Sequence, residues 1–201
     1  MDEKYLSLAE ELVEASKRTY LSGIQTGSGG NVSARIPGKD EMLVKASGSS
    51  LFDSTPDGFV LCDLKGRVIS GTAKPTREVF LHGLLYQLCP EAMAVVHTHS
   101  PYAISWASCH PVLPLTTWHS KLKLKTDLPV LDIPSAMVKE EYAHIVLEVF
   151  DHFPKLDGFL LVDHGLVAIG KDPLNAEQTA ELIEETAQIA FLKAVMGKLG
   201  L

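Results

Sequence analysis

The sequence has few cysteines, no long apolar run and no excess of positive charge, and each shortage narrows the possible functions. Its three cysteines, Cys62, Cys89 and Cys109, lie far apart and form no C-x-x-C pair, so we interpret them as buried, reduced side chains rather than catalytic thiols. No apolar stretch approaches the ~18 residues of a membrane span. The 18 basic residues are outnumbered by 25 acidic ones, for a formal net charge of -7, which disfavours binding to nucleic acid or to anionic membranes.

The composition is that of an ordinary soluble globular protein. The chain has 201 residues, of which 46% are hydrophobic and 21% charged, values typical of one folded domain spanning residues 1–201. The start, Met1-Asp2-Glu3-Lys4, lacks the cationic and apolar regions of a signal peptide. We therefore expect a cytoplasmic protein.

Apolar periodicity and turn signals predict an α/β fold with a central, mostly antiparallel sheet flanked by helices. Strands are predicted at 31–36, 42–46, 59–63, 68–70, 92–99, 130–133 and 159–169. Helices are predicted from Tyr5, from Pro75-Thr76 and from Pro101 after a Ser100 cap, then over about 140–150 and from Pro173 after an Asp172 cap to Gly197.

Histidines follow two of the predicted strands where these end. His97 and His99 are two residues apart, so both side chains project from one face of a strand. His164 lies at the end of a second apolar stretch and precedes a glycine. Three such imidazoles are typical of a metal site that keeps one position open for catalysis. The other five histidines show no such pairing. We interpret His82, one of them, as either a surface residue or a residue that supports a ligating side chain, rather than as a metal ligand itself.

The segment Lys74-Pro75-Thr76-Arg77-Glu78 is predicted to lie at a helix N-terminus, where unpaired backbone N–H groups favour anions. Glu78 there either complements the helix dipole or acts as the acid/base that moves a proton to or from a substrate. Two small loops at 26–31 and 45–50 can each present amides and hydroxyls to a phosphate, although loops of this kind are more often simple turns.

Five motifs together resemble the class II aldolase/adducin family over nearly the whole chain. They are Gly30-Asn31-Val32-Ser33, Ser47-Gly48, Pro75-Thr76-x-Glu78, His97-Thr98-His99 and His164-Gly165-Leu166. The resemblance implies a three-layer fold like that of fuculose aldolase, usually assembled as a homotetramer with interfacial active sites. It also implies that His97, His99 and His164 hold a divalent ion, most often zinc with manganese as an alternative, and that Glu78 is the acid/base. The residues implied to bind the substrate phosphate are Ser28, Asn31, Ser47, Gly48 and Thr76.

The chemistry implied is that of an aldolase acting on a small phosphorylated sugar. A metal that chelates the carbonyl and hydroxyl oxygens of dihydroxyacetone phosphate stabilises the enediolate formed when Glu78 takes a proton. Cleavage of a ketose 1-phosphate reverses that step and requires no organic cofactor.

One departure from the fuculose aldolase pattern favours an alternative. Arg77 stands where those enzymes have a second serine, and with the stretch 181–187 it resembles the 3-oxo-tetronate 4-phosphate decarboxylases of the same family. Arg77 would then hold the departing carboxylate of a keto acid, or the phosphate. Ribulose-phosphate 4-epimerases, which have Asp at the glutamate position, and methylthioribulose-phosphate dehydratases, which lack the Pro-Thr-x-Glu pattern, match less well.

Two further features of the family pattern bear on function. A tyrosine that assists protonation in fuculose-type enzymes corresponds to Trp118, with His119 beside it, and a tyrosine-bearing C-terminal tail has no counterpart here. A non-catalytic, adducin-like scaffold is a remote alternative, because adducin heads lack a full set of metal ligands, whereas this chain has all three histidines and Glu78.

Overall fold

The computed structural model describes residues 3–153 and 155–200 and contains a nine-stranded sheet. The strands follow the order β4-β3-β2-β1-β5-β9-β8-β7-β6, and every neighbouring pair is antiparallel except β7 and β8. The strand bounds are β1 Asn31–Arg35, β2 Glu41–Lys45, β3 Phe59–Asp63, β4 Val68–Ser70, β5 Ala94–Thr98, β6 Val112–Leu113, β7 Leu128–Leu131, β8 Gly158–Leu161 and β9 Gly165–Gly170.

Helices cover both faces of the sheet, which confirms the predicted α/β class and gives three layers. Their bounds are α1 Leu6–Leu21, α2 Val79–Leu88, α3 Pro101–Ala107, α4 Trp118–Lys123, α5 Ala143–His152 and α6 Pro173–Lys198. Alternate residues of β5 separate the two cores: Val96 packs with α1, α3 and α6, whereas Val95 packs with α2 and α5. The central strand β5 is buried on both faces, which explains why its first three residues, Ala94, Val95 and Val96, are all apolar. No helix in the described parts of the chain is long and apolar enough to cross a bilayer.

The start of α2 differs from the prediction, and the difference shapes the site. Residues 74–76 do not begin a helix but continue the pairing of β2: the Ser47 amide donates to Lys74 O, and the Thr76 amide donates to Lys45 O. The extended backbone postpones the helix to Val79 and leaves Glu78 at the N-cap position.

Three other predictions are corrected. The stretch 159–169 is two strands, because Asp163 adopts a left-handed backbone (φ 52) that turns the chain between β8 and β9. Ser100 precedes α3 but does not cap it: Glu184 accepts from the Tyr102 and Ala103 amides instead, each at 2.8 Å. Cys109 is exposed, whereas Cys62 and Cys89 are buried.

Some elements agree closely and others were missed. Asp172 caps α6 as predicted, accepting from the Asn175 amide at 2.7 Å. The short elements α4 and β6 have no counterpart among the predicted segments.

Candidate active site

The three predicted metal ligands meet at the ends of two neighbouring strands. Thr98 of β5 pairs with Leu166 of β9, so the ends of both strands lie side by side. His97, His99 and His164 each offer a ring nitrogen within 4.8 Å of the others. His97 is buried, His164 is half-buried and His99 is exposed, so the cluster opens to solvent on one side.

The ring of His97 is oriented by the backbone. Its Nδ1 lies 2.9 Å from Leu166 O, and because a carbonyl oxygen only accepts, Nδ1 carries the hydrogen. Nε2 is then a bare acceptor, and it is buried without a partner in the described structure. Burial lowers the pKa of His97 well below its usual value and lowers that of His164 to about 4, so both rings are neutral at pH 7. Neutral imidazoles and one orphaned buried nitrogen fit a divalent cation.

The loop before β1 holds His99 in place. Gln25 accepts a hydrogen bond from the His99 amide at 2.8 Å. Gly29 packs so closely that an added Cβ would lie 2.8 Å from His99 Nδ1 and 2.6 Å from Gln25 Nε2. Gln25 was missed in the sequence because a lone glutamine in a loop carries no motif.

Glu78 is a buried carboxyl group with one free oxygen. The residue is 4% exposed, and Oε2 accepts from the Val138 amide at 3.3 Å. Its Oε1 is buried and has no partner among residues 3–153 and 155–200. Burial raises the pKa of Glu78 to about 7, against the opposing effects of the Val138 amide and of the Arg77 charge. A carboxyl with this pKa can both take up and release a proton near neutrality.

All ten predicted site residues line one cleft of about 350 Å³. Its buried floor includes Asn31, Thr76, Glu78 and His97, and its exposed rim includes Ser28, Ser47, Gly48, Arg77 and His99. Two other surface clefts of about 480 Å³ each contain none of these residues.

Lys45 also lines the cleft and was not singled out, although it begins the predicted loop 45–50. The residue is 3% exposed, its ammonium donates to Ala46 O at 3.3 Å, and burial lowers its pKa. It places a positive charge on the floor of the cleft.

Three other residues noted in the sequence do not line this cleft. The surface interpretation of His82 is wrong, because the residue is completely buried; it contacts Asn31 and Ser33, and Asn31 lines the cleft. Trp118 is 88% exposed, and neither it nor His119 lines this cleft.

The chain is similar along most of its length to enzymes with different named reactions. It is 32% identical over 182 residues to an L-fuculose phosphate aldolase from Methanococcus maripaludis, covering 90% of this chain and 95% of the relative. A methylthioribulose-1-phosphate dehydratase from Pseudoalteromonas translucida is 34% identical over 182 residues (87% and 85% coverage). A 3-oxo-tetronate 4-phosphate decarboxylase from Haemophilus influenzae is 30% identical over 194 residues (92% and 88%). These names span several reactions at comparable identity, so similarity assigns a family rather than a reaction.

The fold comparison agrees with the sequence comparison. A solved L-fuculose 1-phosphate aldolase superposes with a TM-score of 0.85 at 26% identity, over 95% of this chain and 88% of that one. Residues 10–191 match the family profile described as Class II Aldolase and Adducin N-terminal domain. The chain therefore belongs to the class II aldolase and adducin family.

Proposed function

We propose that this chain is a metal-dependent sugar-phosphate aldolase that cleaves a small ketose 1-phosphate into dihydroxyacetone phosphate and an aldehyde. One observation carries the proposal: the free, buried Oε1 of Glu78 lies in the same cleft as a cluster of three neutral histidines. A proton-transfer group beside a candidate cation site is the pair of functions that carbon–carbon cleavage next to a carbonyl requires.

His97, His99 and His164 would hold the cation, with zinc the first candidate and manganese the second. When bound, such an ion supplies Lewis-acid polarisation of the substrate oxygens. The backbone contact of Leu166 with His97 fixes which ring nitrogen is available for it.

The same cleft also contains groups that suit a phosphate. Ser28, Ser47 and Thr76 offer hydroxyls, Gly48 offers a backbone amide and Asn31 a carboxamide, and Lys45 adds a positive charge. Hydrogen bonds from several donors to an ionised oxygen are about twice as strong as neutral ones.

Glu78 completes the cleavage by moving one proton. The Glu78 carboxylate takes the hydrogen of the C4 hydroxyl as the C3–C4 bond of the ketose breaks, so that the aldehyde leaves and the electron pair stays on C3 of the dihydroxyacetone phosphate fragment. Protonated Glu78 then delivers its hydrogen to that carbon. In condensation the carboxylate removes the same hydrogen, which a pKa near 7 permits.

Proton NMR of metal-loaded protein in deuterated water, with dihydroxyacetone phosphate and a set of small aldehydes, tests the proposal. We expect exchange of a carbinol hydrogen together with new condensation products. If protein shown to contain metal gives neither exchange nor condensation products, the proposed activity is contradicted. That result would favour a non-catalytic scaffold or a substrate without phosphate.

A decarboxylase acting on a 3-oxo acid phosphate is the second candidate, and Arg77 is the observation that favours it. Arg77 lies at the rim of the cleft; its charge opposes the burial that raises the pKa of Glu78 and adds to the burial that lowers the pKa of His99. A guanidinium there could pair with a substrate carboxylate. For a decarboxylase, Arg77→Ala should abolish release of carbon dioxide while exchange on dihydroxyacetone phosphate persists, whereas an aldolase would show no carbon dioxide release in either protein.

We further propose that the protein works in the cytoplasm as a homotetramer with active sites at subunit interfaces. The support is an exposed apolar surface on α4, where Trp118 and Leu122 are 88% and 80% exposed. Sedimentation equilibrium should give four times the mass of the chain.

A further inference from the structure

A buried chain of side-chain hydrogen bonds runs from α2 to the floor of the cleft. His82 and Tyr86 are one helical turn apart on α2 and face β1. His82 Nε2 contacts Asn31 Oδ1, and His82 Nδ1 lies 2.6 Å from Ser33 Oγ. Ser33 Oγ in turn lies 2.6 Å from the Tyr86 hydroxyl. Neither the proposed metal site nor proton transfer by Glu78 gives these four side chains a role.

Chemistry fixes the direction of every bond in this chain. A carboxamide oxygen only accepts, so His82 Nε2 carries the ring hydrogen. Burial lowers the pKa of His82 to about 3, so the ring is neutral and Nδ1 is an acceptor. Ser33 therefore donates to Nδ1 and accepts from Tyr86. The reverse order would leave the Tyr86 hydroxyl hydrogen without an acceptor in the described parts of the chain.

The consequence falls on Asn31, which is 5% exposed and lines the cleft. Its oxygen accepts from His82, whereas its Nδ2 group has no hydrogen-bond partner among residues 3–153 and 155–200 and is open to the cleft. Asn31 pairs with His97 across β1 and β5, so the free amide stands beside the histidine cluster. A donor that faces the cleft without a protein partner is available to a ligand atom that accepts hydrogen bonds.

We propose that His82 is a positioning residue that locks the Asn31 carboxamide, so that Asn31 presents only donor hydrogens to the substrate. The proposal rests on the proposed function and deepens it: the substrate atom that meets Asn31 is an oxygen acceptor, of a phosphate, a carboxylate or an ionised hydroxyl. An unrestrained asparagine could rotate its amide to accept from a hydroxyl or an amine. In this chain that rotation would break the bond to His82.

The tautomer of His82 tests the premise without any substrate. In ¹⁵N NMR of the metal-loaded protein, we expect a neutral ring with the hydrogen on Nε2 and none on Nδ1. His82→Gln, which removes the signal, assigns it. A hydrogen on Nδ1 would require Asn31 to turn its oxygen towards the cleft and would overturn the proposal.

A double-mutant cycle tests the coupling between His82 and Asn31. The readouts are the affinity for inorganic phosphate, and KM and kcat for hydrogen exchange on dihydroxyacetone phosphate. We expect Asn31→Ala and His82→Phe each to weaken binding about tenfold, the loss of one hydrogen bond to a charged group. The double variant should be within about twofold of Asn31→Ala, because His82 acts through Asn31. If the affinity losses of the two single variants multiply in the double variant, His82 does not act through Asn31. A lower Tm for His82→Phe with unchanged affinity would show that His82 has a purely structural role.

Asn31→Asp provides the sharpest comparison, since it keeps the shape and the oxygen that faces His82. It replaces the cleft-facing donor with a carboxylate oxygen, so we expect it to bind phosphate more weakly than Asn31→Ala does. Equal binding by the two variants contradicts the proposal. His144→Phe, on the exposed face of α5, is the control and should match wild type. If wild type itself neither binds phosphate nor exchanges hydrogen, the proposed function fails, and the tautomer of His82 still decides the present inference.

Discussion

His97 donates its Nδ1 hydrogen to the carbonyl oxygen of Leu166 across 2.9 Å, within the pairing of β5 with β9. The pairing of these two strands therefore brings the histidines together and also determines which ring nitrogen His97 turns towards the other two. The site depends on backbone pairing as much as on the three side chains.

Replacing His97 should abolish stoichiometric metal binding. His97→Ala removes the most buried member of the cluster, and we expect at least about a hundredfold weaker metal affinity together with loss of activity. Metal content after dialysis against a weak chelator measures this. His144→Ala, an exposed histidine on α5, is the matched control and should retain metal. Full metal content in His97→Ala would refute the assignment.

Glu78→Gln should separate metal binding from proton transfer. The amide keeps the size of the side chain but cannot cycle a proton, so we expect hydrogen exchange to fall by about 10²–10⁴-fold while metal content stays the same. Glu177→Gln is the matched control: Glu177 is also buried, burial also raises its pKa, and it pairs with Arg18 outside the cleft. Undiminished exchange in Glu78→Gln would remove Glu78 from the mechanism.

The raised pKa of Glu78 predicts a cost in stability above neutral pH. The unfolded group titrates near 4.5 and the folded one near 7, so between these values the folded protein binds more protons and its free energy of unfolding falls as pH rises. In metal-free protein at pH 8, Glu78→Gln should be more stable than wild type by up to about 3 kcal/mol, with no difference below pH 4. Urea unfolding of both proteins across this range measures the difference. An equal difference in the free energy of unfolding at pH 4 and at pH 8 would show that Glu78 does not titrate between these values.

Gly29→Ala should weaken metal binding without unfolding the protein. The added Cβ would lie 2.8 Å from His99 Nδ1 and must displace the ring or the loop. We expect metal affinity to fall about tenfold or more, with a Tm change of only a few degrees. Gly197→Ala is the control, because a Cβ there meets nothing within 4 Å. Isothermal titration of both variants with the metal measures the affinity. Wild-type affinity in Gly29→Ala would show that the loop does not hold His99 in place.

Sequence periodicity was sufficient for most of the sheet, whereas most residues of the cleft were inferred from the family motifs. The continuous apolar stretch around β5 and the Asp172-Pro173 start of α6 are local signals, and they survive in the fold. The start of α2 was misplaced because a pairing with β2, distant in sequence, overrides the local preference of Pro75-Thr76 for a helix.

The missed features of the site depend on tertiary contacts. His82 looks like any helical histidine until β1 packs beside it and supplies Asn31 and Ser33 as partners. Gln25 likewise has a role only because its loop folds against His99. Neither relationship leaves a spacing pattern in the chain, so neither could be read from residue order.

The junction of β5 with β9 also determines when the histidine cluster can exist during folding. His99 and His164 belong to segments separated by three helices and by strands β6, β7 and β8. Closing so long a loop is slow, because its entropy is lost before the new contacts form. We therefore expect the cluster to form late in folding, so that a metal-sensitive dye in a stopped-flow refolding experiment would report the closure of the sheet rather than the formation of helices.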